Sequence, residues 1–300
     1  MPEIPVIVNA SAGKGYGSAE CDALCEAFRA AGVEPGVLQA RGGGEVLELA
    51  KQAAAGGATT VVAAGGDGTV STVASAIVGK PVALGIVPLG TLNHFARDAG
   101  IPLDREAAVR AIAANHHVQV DAGEVNGRPF INNSSIGLYP TLVLHRNEQQ
   151  RRLGRGKWHA LFWAAMSVLR RHPMLDVRLS LDQDAARRRT PFVFIGNNEY
   201  RMEGFQIGTR GRLDAGVLSV YITQRHGRRG LLGLAFRALF GRLPQSRDFE
   251  ALTAHTIGIE TRHPRLPVAT DGEVTMMDMP LEYRVRRGAV RLNVPAPAST

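Results

Sequence analysis

The segment Gly65-Gly66-Asp67-Gly68-Thr69 has the residue types of an anion site, with one oddity inside it. Adjacent glycines let backbone N–H groups approach a phosphate closely, and a helix starting just after them adds a field that favours negative charge. A carboxylate among those donors would repel phosphate, so Asp67 is expected to hold a cation, order a water network or take a proton. An ordinary glycine-rich turn gives the same string, so this loop alone leaves phosphate binding open. Two further loops of similar make-up occur, Asn9-Ala10-Ser11-Ala12-Gly13 and Gly90-Thr91-Leu92-Asn93. Far downstream, Asp271-Gly272-Glu273 places two carboxylates two residues apart beside a flexible glycine. Like charges that close raise the pKa of one of them, which suits a group that accepts a proton. An exposed hairpin turn is the plain alternative for that tripeptide.

The elements around these loops must position them. Segments 4–9, 59–64 and 82–87 are short, uncharged and apolar, as strands covered on both faces should be, and each runs into one of the three loops. Parallel strands put their carboxyl ends on one rim, where open α/β sheets bind ligands. Ser11, Thr69, Thr91 and Asn93 would then surround one ligand. A further strand is expected at 33–38. Helices are expected from Ser18, acting as N-cap, to Gly32, then at 45–55, from the second loop to Ile77, and at 106–114. This alternation predicts a doubly wound α/β domain over residues 1–125. Beyond it, Asn126-Gly127 marks a hairpin at 124–130. Short strands at 176–181, 191–196, 216–223, 256–260, 281–286 and 290–294 predict an all-β, sandwich-like domain over 126–294, interrupted by helices at 158–171 and 231–243.

Composition sets bounds on this picture. With 45% apolar and 21% charged residues in 300, global disorder is excluded. No apolar run reaches the roughly 18 to 20 residues that span a bilayer. The opening Met1-Pro2-Glu3-Ile4 lacks a basic leader region, so a cytoplasmic location is expected. Cys21 and Cys25 are too few for a disulfide framework or a structural zinc site. The net charge of +8 is divided unevenly. Residues 1–140 hold 9 Lys+Arg against 13 Asp+Glu, and residues 141–300 hold 26 against 14. Arginine dominates the basic half, in clusters at 146–155, 170–171, 187–189 (expected just ahead of a strand) and 225–229. An anionic partner for that half follows, although a plain compositional bias would look the same. Neither the dinucleotide fingerprint nor the Walker loop is present, which disfavours a Rossmann dehydrogenase and a P-loop ATPase.

As an ordered set, Asn-x-Ser-x-Gly, Gly-Gly-Asp-Gly-Thr, Gly-Thr-x-Asn followed by Phe-Ala-Arg, and the late Asp-Gly-Glu resemble the diacylglycerol kinase catalytic family. That family includes soluble bacterial lipid kinases and the sphingosine and ceramide kinases. The resemblance implies a nucleotide-binding α/β domain, a β-rich lipid-binding domain whose last strands return toward the first, and an active site in the cleft between them. It implies ATP-dependent, magnesium-assisted phosphorylation of a lipid hydroxyl, as in phospholipid metabolism. By the same resemblance, Asn9, Ser11 and Gly13 form the first nucleotide loop, and Gly65, Gly66, Gly68 and Thr69 cradle phosphate. Asp67 serves the magnesium network, Thr91 and Asn93 contact nucleotide or its water shell, and Asp271 and Glu273 supply the general base.

Several residues depart from the family's pattern. Ala10 stands where proline is usual and His94 where an aspartate is usual, and 39–41 lacks the customary threonine. Ala215 precedes Gly216 in the accessory magnesium loop, leaving Asp214 as the side-chain ligand available there. A lipid kinase must reach a substrate embedded in a membrane, so the arginine-rich half is expected to attach reversibly to an anionic membrane surface. No specific nucleic acid is expected as a partner, because no aromatic-plus-basic RNA motif is present. Two other readings stay open: an NAD kinase-like soluble kinase, and a non-catalytic nucleotide- or nucleic-acid-binding relative.

Overall fold

The computed structural model describes residues 3–10, 17–137, 140, 174–182, 184–200, 209–223 and 249–297. In the first lobe, β1 (Ile4–Asn9), β2 (Pro35–Ala40), β3 (Thr60–Gly65) and β4 (Ala83–Pro88) pair in parallel in the order β2-β1-β3-β4. Successive strand side chains point to opposite faces. Ile7, Val61, Ala63, Leu84 and Ile86 pack with α2 (Gly43–Ala55) and α3 (Asp67–Ile77). Val6, Val8, Val62 and Ala64 pack with α1 (Ser18–Ala30) and α5 (Arg105–Ala113). Helices on both faces are the reason these strands show no polar alternation.

Two local details differ from expectation. Gly17, not Ser18, caps α1, its N–H donating to Glu20 Oε2 at 3.0 Å. A five-residue helix, α4 (His94–Asp98), follows the third loop and is too short to announce itself by periodicity.

In the second lobe, β5 (His117–Val125) and β6 (Arg128–Phe130) flank a turn at Asn126 and Gly127. Both residues have positive φ, 45° and 81°, as a tight two-residue hairpin turn requires. The rest is β7 (Asn133–Gly137), β8 (Leu175–Leu181), β9 (Asp184–Thr190), β10 (Phe192–Asn197), β11 (Leu218–Thr223), β12 (Phe249–Ala254), β13 (Thr256–Thr261), β14 (Arg265–Thr270), β15 (Glu273–Asp278) and β16 (Leu281–Asn293). One antiparallel sheet has the order β12-β11-β10-β7-β14-β15. Its Ile136, Val193, Ile195, Val220 and Val268 share a core with Val177, Ile257, Ile259 and Tyr283 of β8, β13 and β16.

Strands expected at 281–286 and 290–294 are one strand, β16, irregular between Arg286 and Val290. Its first half pairs with β13, and Arg291 and Leu292 pair in parallel with Ala83 and Leu84 of β4. Among the described residues, this strand therefore joins both lobes into a single ten-stranded sheet, β2-β1-β3-β4-β16-β13-β8-β9 with β5 and β6 alongside. β7, β9, β12, β14 and β15 were not expected from the sequence. β9 reads Asp-Ala-Ala-Arg-Arg-Arg-Thr and β14 contains a proline, so neither has the composition of an interior strand. Arg187, Arg188 and Arg189 lie inside β9 rather than ahead of a strand, with Arg188 paired to Glu250 at 3.3 Å. The expected helices at 158–171 and 231–243, and the arginine clusters at 146–155, 170–171 and 225–229, lie outside the described residues. Among the described residues, no helix is long and apolar enough to cross a membrane.

Candidate active site

β3 ends at Gly65, Gly66 is the N-cap of α3, and Asp67 opens that helix. The chain can turn this tightly because it lacks side chains there. A Cβ on Gly65 would lie 2.5 Å from Thr69 Oγ1, and one on Gly90 would lie 2.5 Å from Gly66 Cα. The second and third loops thus touch backbone to backbone, with Leu89 N–H donating to Gly65 C=O at 2.9 Å. Asn93 locks the third loop from within. Its Nδ2 donates to Gly90 C=O at 2.9 Å and its Oδ1 accepts from Gly90 N–H at 3.0 Å, while its own backbone is left-handed at φ 51°. Asn93 therefore shapes the rim and turns its amide toward Gly90, while Thr91 is exposed beside it and Thr69 is buried under Gly65. Asp67 Oδ1 accepts the N–H of Phe95 at 3.2 Å, tying the start of α3 to α4. Gly68 is exposed, and a methyl group in place of its hydrogen would meet nothing within 4 Å. Asn9 ends β1 opposite Ala40. Ser11 and Gly13 lie outside the described residues.

The late acidic pair sits on the tight turn between β14 and β15, the hairpin that was the plain alternative for this tripeptide. Asp271 and Gly272 have φ of 49° and 87°. The Asp271 carboxylate is turned inward. Its Oδ2 accepts from Ile131 N–H at 2.9 Å, and its Oδ1 from Asn132 and Asn133 N–H at 2.8 and 3.0 Å. Ser71 Oγ of α3 also donates to Oδ2. Burial pushes this carboxyl above the usual carboxylate range, and those four donors oppose the shift. Glu273 is different. It is exposed, ion-paired to Arg128 at 2.7 Å, and its Oε1 reaches toward Gly43 at the start of α2.

Asp67, Ser71 and Ser75 recur every fourth residue and so share one face of α3. Asp271 is thereby anchored one helical turn, about 6 Å along the axis, from the position of Asp67. A cleft of about 510 Å³ lies here, lined by Gly43, Gly68, Ser71, Arg128, Asp271 and Glu273 among others. Thr270, also in its wall, has a buried Oγ1 that bonds to no other group among the described residues.

These surroundings decide which absent groups the residues fit. The close-packed glycines and the open Gly68 leave room for a nucleotide's phosphates against the first turn of α3. Asp67, at that helix start, can share a cation with such phosphates. Asp214 fits a second cation poorly: Arg212 holds its carboxyl below the usual range in an exposed pair 3.0 Å apart. Ala215 offers no side-chain donor there, and both oxygens of nearby Asp121 are taken by Gly216 and Gly288 N–H. Among the described residues, no cluster of three or more His, Cys, Asp or Glu is placed to hold a metal.

Sequence reasoning missed Ser71, Arg128 and Thr270. Ser71 carried a usable signal, lying four residues after Asp67 on an expected helix.

The chain matches the family model described as "Diacylglycerol kinase catalytic domain" over residues 3–125. Residues 142–294 match that described as "YegS C-terminal NAD kinase beta sandwich-like domain". The "Probable lipid kinase YegS-like" protein of Pseudomonas aeruginosa is 30% identical over 286 residues, 95% of this chain and 92% of its own. A "Diacylglycerol kinase" of Staphylococcus carnosus is 28% identical over 73% of this chain and 72% of its own. A crystal structure of a diacylglycerol kinase from Bacillus anthracis superposes with a TM-score of 0.69 at 21% identity, covering 99% of this chain and 98% of the other, a likeness of fold. With its ordered loops, its two lobes and these matches across both, the chain belongs to the diacylglycerol kinase catalytic family, in its YegS-like branch.

Proposed function

We propose that this protein is an ATP-dependent lipid kinase whose active site is the cleft between Gly68 and Glu273. The observation that carries this reading is the Ser71–Asp271 hydrogen bond, which sets an enclosed acid one helical turn from the phosphate rim. Gly65, Gly66, Gly68 and Thr69 would seat the phosphates, and Asp67 would hold magnesium together with them. Bound there, the ion supplies charge neutralisation. Asp271, through the Ser71 hydroxyl bonded to its Oδ2, takes the proton of the lipid hydroxyl as that oxygen bonds to the γ-phosphorus and the bond to ADP breaks. Burial raises the pKa of the Asp271 carboxyl, which favours proton acceptance there. Glu273 holds Arg128 across the mouth of the cleft. The arginine-rich half would face anionic lipid, bringing the cleft to its substrate.

Incubation with γ-labelled ATP, magnesium and a total lipid extract should move label into the organic phase. Label appearing only in NADP, when NAD is supplied, or in no acceptor at all would overturn the assignment. Co-sedimentation with vesicles containing anionic lipid, lost at high salt, tests the membrane-facing surface.

A further inference from the structure

Arg210 is an unusual arginine in a chain rich in them. Its side chain is 0% exposed, and its partner Asp98, at the end of α4, is 5% exposed. The guanidinium Nε donates to Asp98 Oδ2 at 2.7 Å. One terminal nitrogen donates to Ile131 C=O at 2.7 Å and Asn197 C=O at 3.3 Å, and the other to Asn132 Oδ1 at 2.8 Å. The plane sits against the rings of Phe95 and Tyr200, 5.5 and 5.2 Å from their centroids. A guanidinium so placed donates from all three of its nitrogens in a planar fork, which a lysine ammonium cannot do.

What Arg210 grips is the strip Ile131-Asn132-Asn133. The strip's N–H groups converge on the Asp271 carboxylate, and Asn133 C=O accepts the Asp271 N–H at 2.8 Å, while the carbonyls of Ile131 and Asn132 face the other way. Ile131 C=O receives Arg210 and Asn197 Nδ2, and Asn132 C=O receives Asn197 N–H and the Tyr200 hydroxyl. A cation pulling on the carbonyl side of a peptide strengthens donation from its amides. The same guanidinium is joined through Asp98 to α4, whose Phe95 N–H binds Asp67.

We propose that Arg210 is a positioning residue, a resident cation that clamps the 131–133 strip to α4 and so fixes Asp271 relative to the phosphate rim. This rests on the lipid kinase reading for its catalytic consequence, and on the hydrogen bonds alone for the clamp. The other charged or titratable groups around Asp271 are Tyr200, whose hydroxyl is pushed up to about 12 by burial, Asp98, and the Glu273–Arg128 pair.

The test compares Arg210→Lys with Asn132→Ala, which removes one acceptor of the clamp and carries the comparison if the first variant fails to fold. Hydrogen exchange at the amides of 131–133 should quicken by about tenfold in Arg210→Lys, and less in Asn132→Ala. In the lipid kinase assay, kcat should fall by about tenfold or more with little change in KM for ATP. The acidic limb of kcat should move to higher pH, because weaker amide donation leaves the Asp271 carboxylate less stabilised. Unchanged exchange at 131–133 would overturn the clamp. Faster exchange with kcat and its acidic limb unmoved would reduce Arg210 to a structural residue. If the unaltered protein phosphorylates no lipid, the lipid kinase reading fails, and the exchange measurement still decides the clamp.

Discussion

Gly66 and Gly90 meet at the rim of the first lobe because neither has a side chain, and what they present to a ligand is backbone. At the turn of the second lobe the material is reversed: a side chain, Asp271, is presented, and backbone from residues 131–133 holds it. The contact between the second and third loops draws on residues no more than 28 apart, whereas the acid turn draws on α3, 200 residues upstream, and on the strip 138 to 140 residues away. A device built from near neighbours tolerates change at its open positions. A device assembled from distant parts depends on every part being in register.

The largest effects test the acid side. Asp271→Asn should lower kcat by about two to four orders of magnitude, as loss of a general base does, and Asp67→Asn should be comparably severe. Glu273→Gln should cost about tenfold or less, since the proton goes to its enclosed neighbour. Equal losses in Glu273→Gln and Asp271→Asn would shift the proton acceptor to the exposed carboxylate.

Next come the glycines. Gly90→Ala forces apart two backbones and should destabilise the fold by about 1–3 kcal/mol, seen in chemical denaturation. Gly68→Ala meets nothing, sits on a helix and should stabilise the nucleotide-free protein by about 0.4–1 kcal/mol. If Gly68 admits a phosphate, the same alanine raises KM for ATP, so stability and affinity move in opposite senses. Were both glycine variants to behave alike in denaturation, the contrast between closed and open rim positions would be wrong.

Smaller still is a dependence on pH. The folded chain binds the Asp271 proton more tightly than the unfolded chain, because burial raises its pKa. That stabilisation is complete below the unfolded value of about 4 and is lost as pH rises toward the folded value. The unfolding free energy of the unaltered protein should therefore fall through that window relative to Asp271→Asn. Parallel curves would mean that the four donors cancel the burial. The least effect is on stability in Glu273→Gln: the Arg128 pair is exposed, and its loss should cost about 1 kcal/mol or less.

The rim was legible because its signals are sequential. Uncharged strands run straight into glycines, and parallel strands place those glycines together. Asn93 was legible as a polar residue of the third loop but not in its part, since only the folded loop brings its amide onto Gly90. Arg210 was not legible. In sequence it is one arginine among many, and its burial arises from Asp98, Asn132 and Asn197, which approach it only through folding. β14 and β15, which carry the acid turn, were hidden by Pro267 and by the polar residues of a strand at the sheet's edge.

β16 has a consequence for how the molecule is made. The sheet of the first lobe gains its last neighbour when Arg291 and Leu292 dock on β4, although every other strand of that lobe precedes residue 89. During synthesis, β4 remains an unpaired edge while some two hundred residues are added, and such edges invite pairing with other chains. A ribosome-stalled fragment ending before residue 290 should therefore be more prone to aggregate than the full chain.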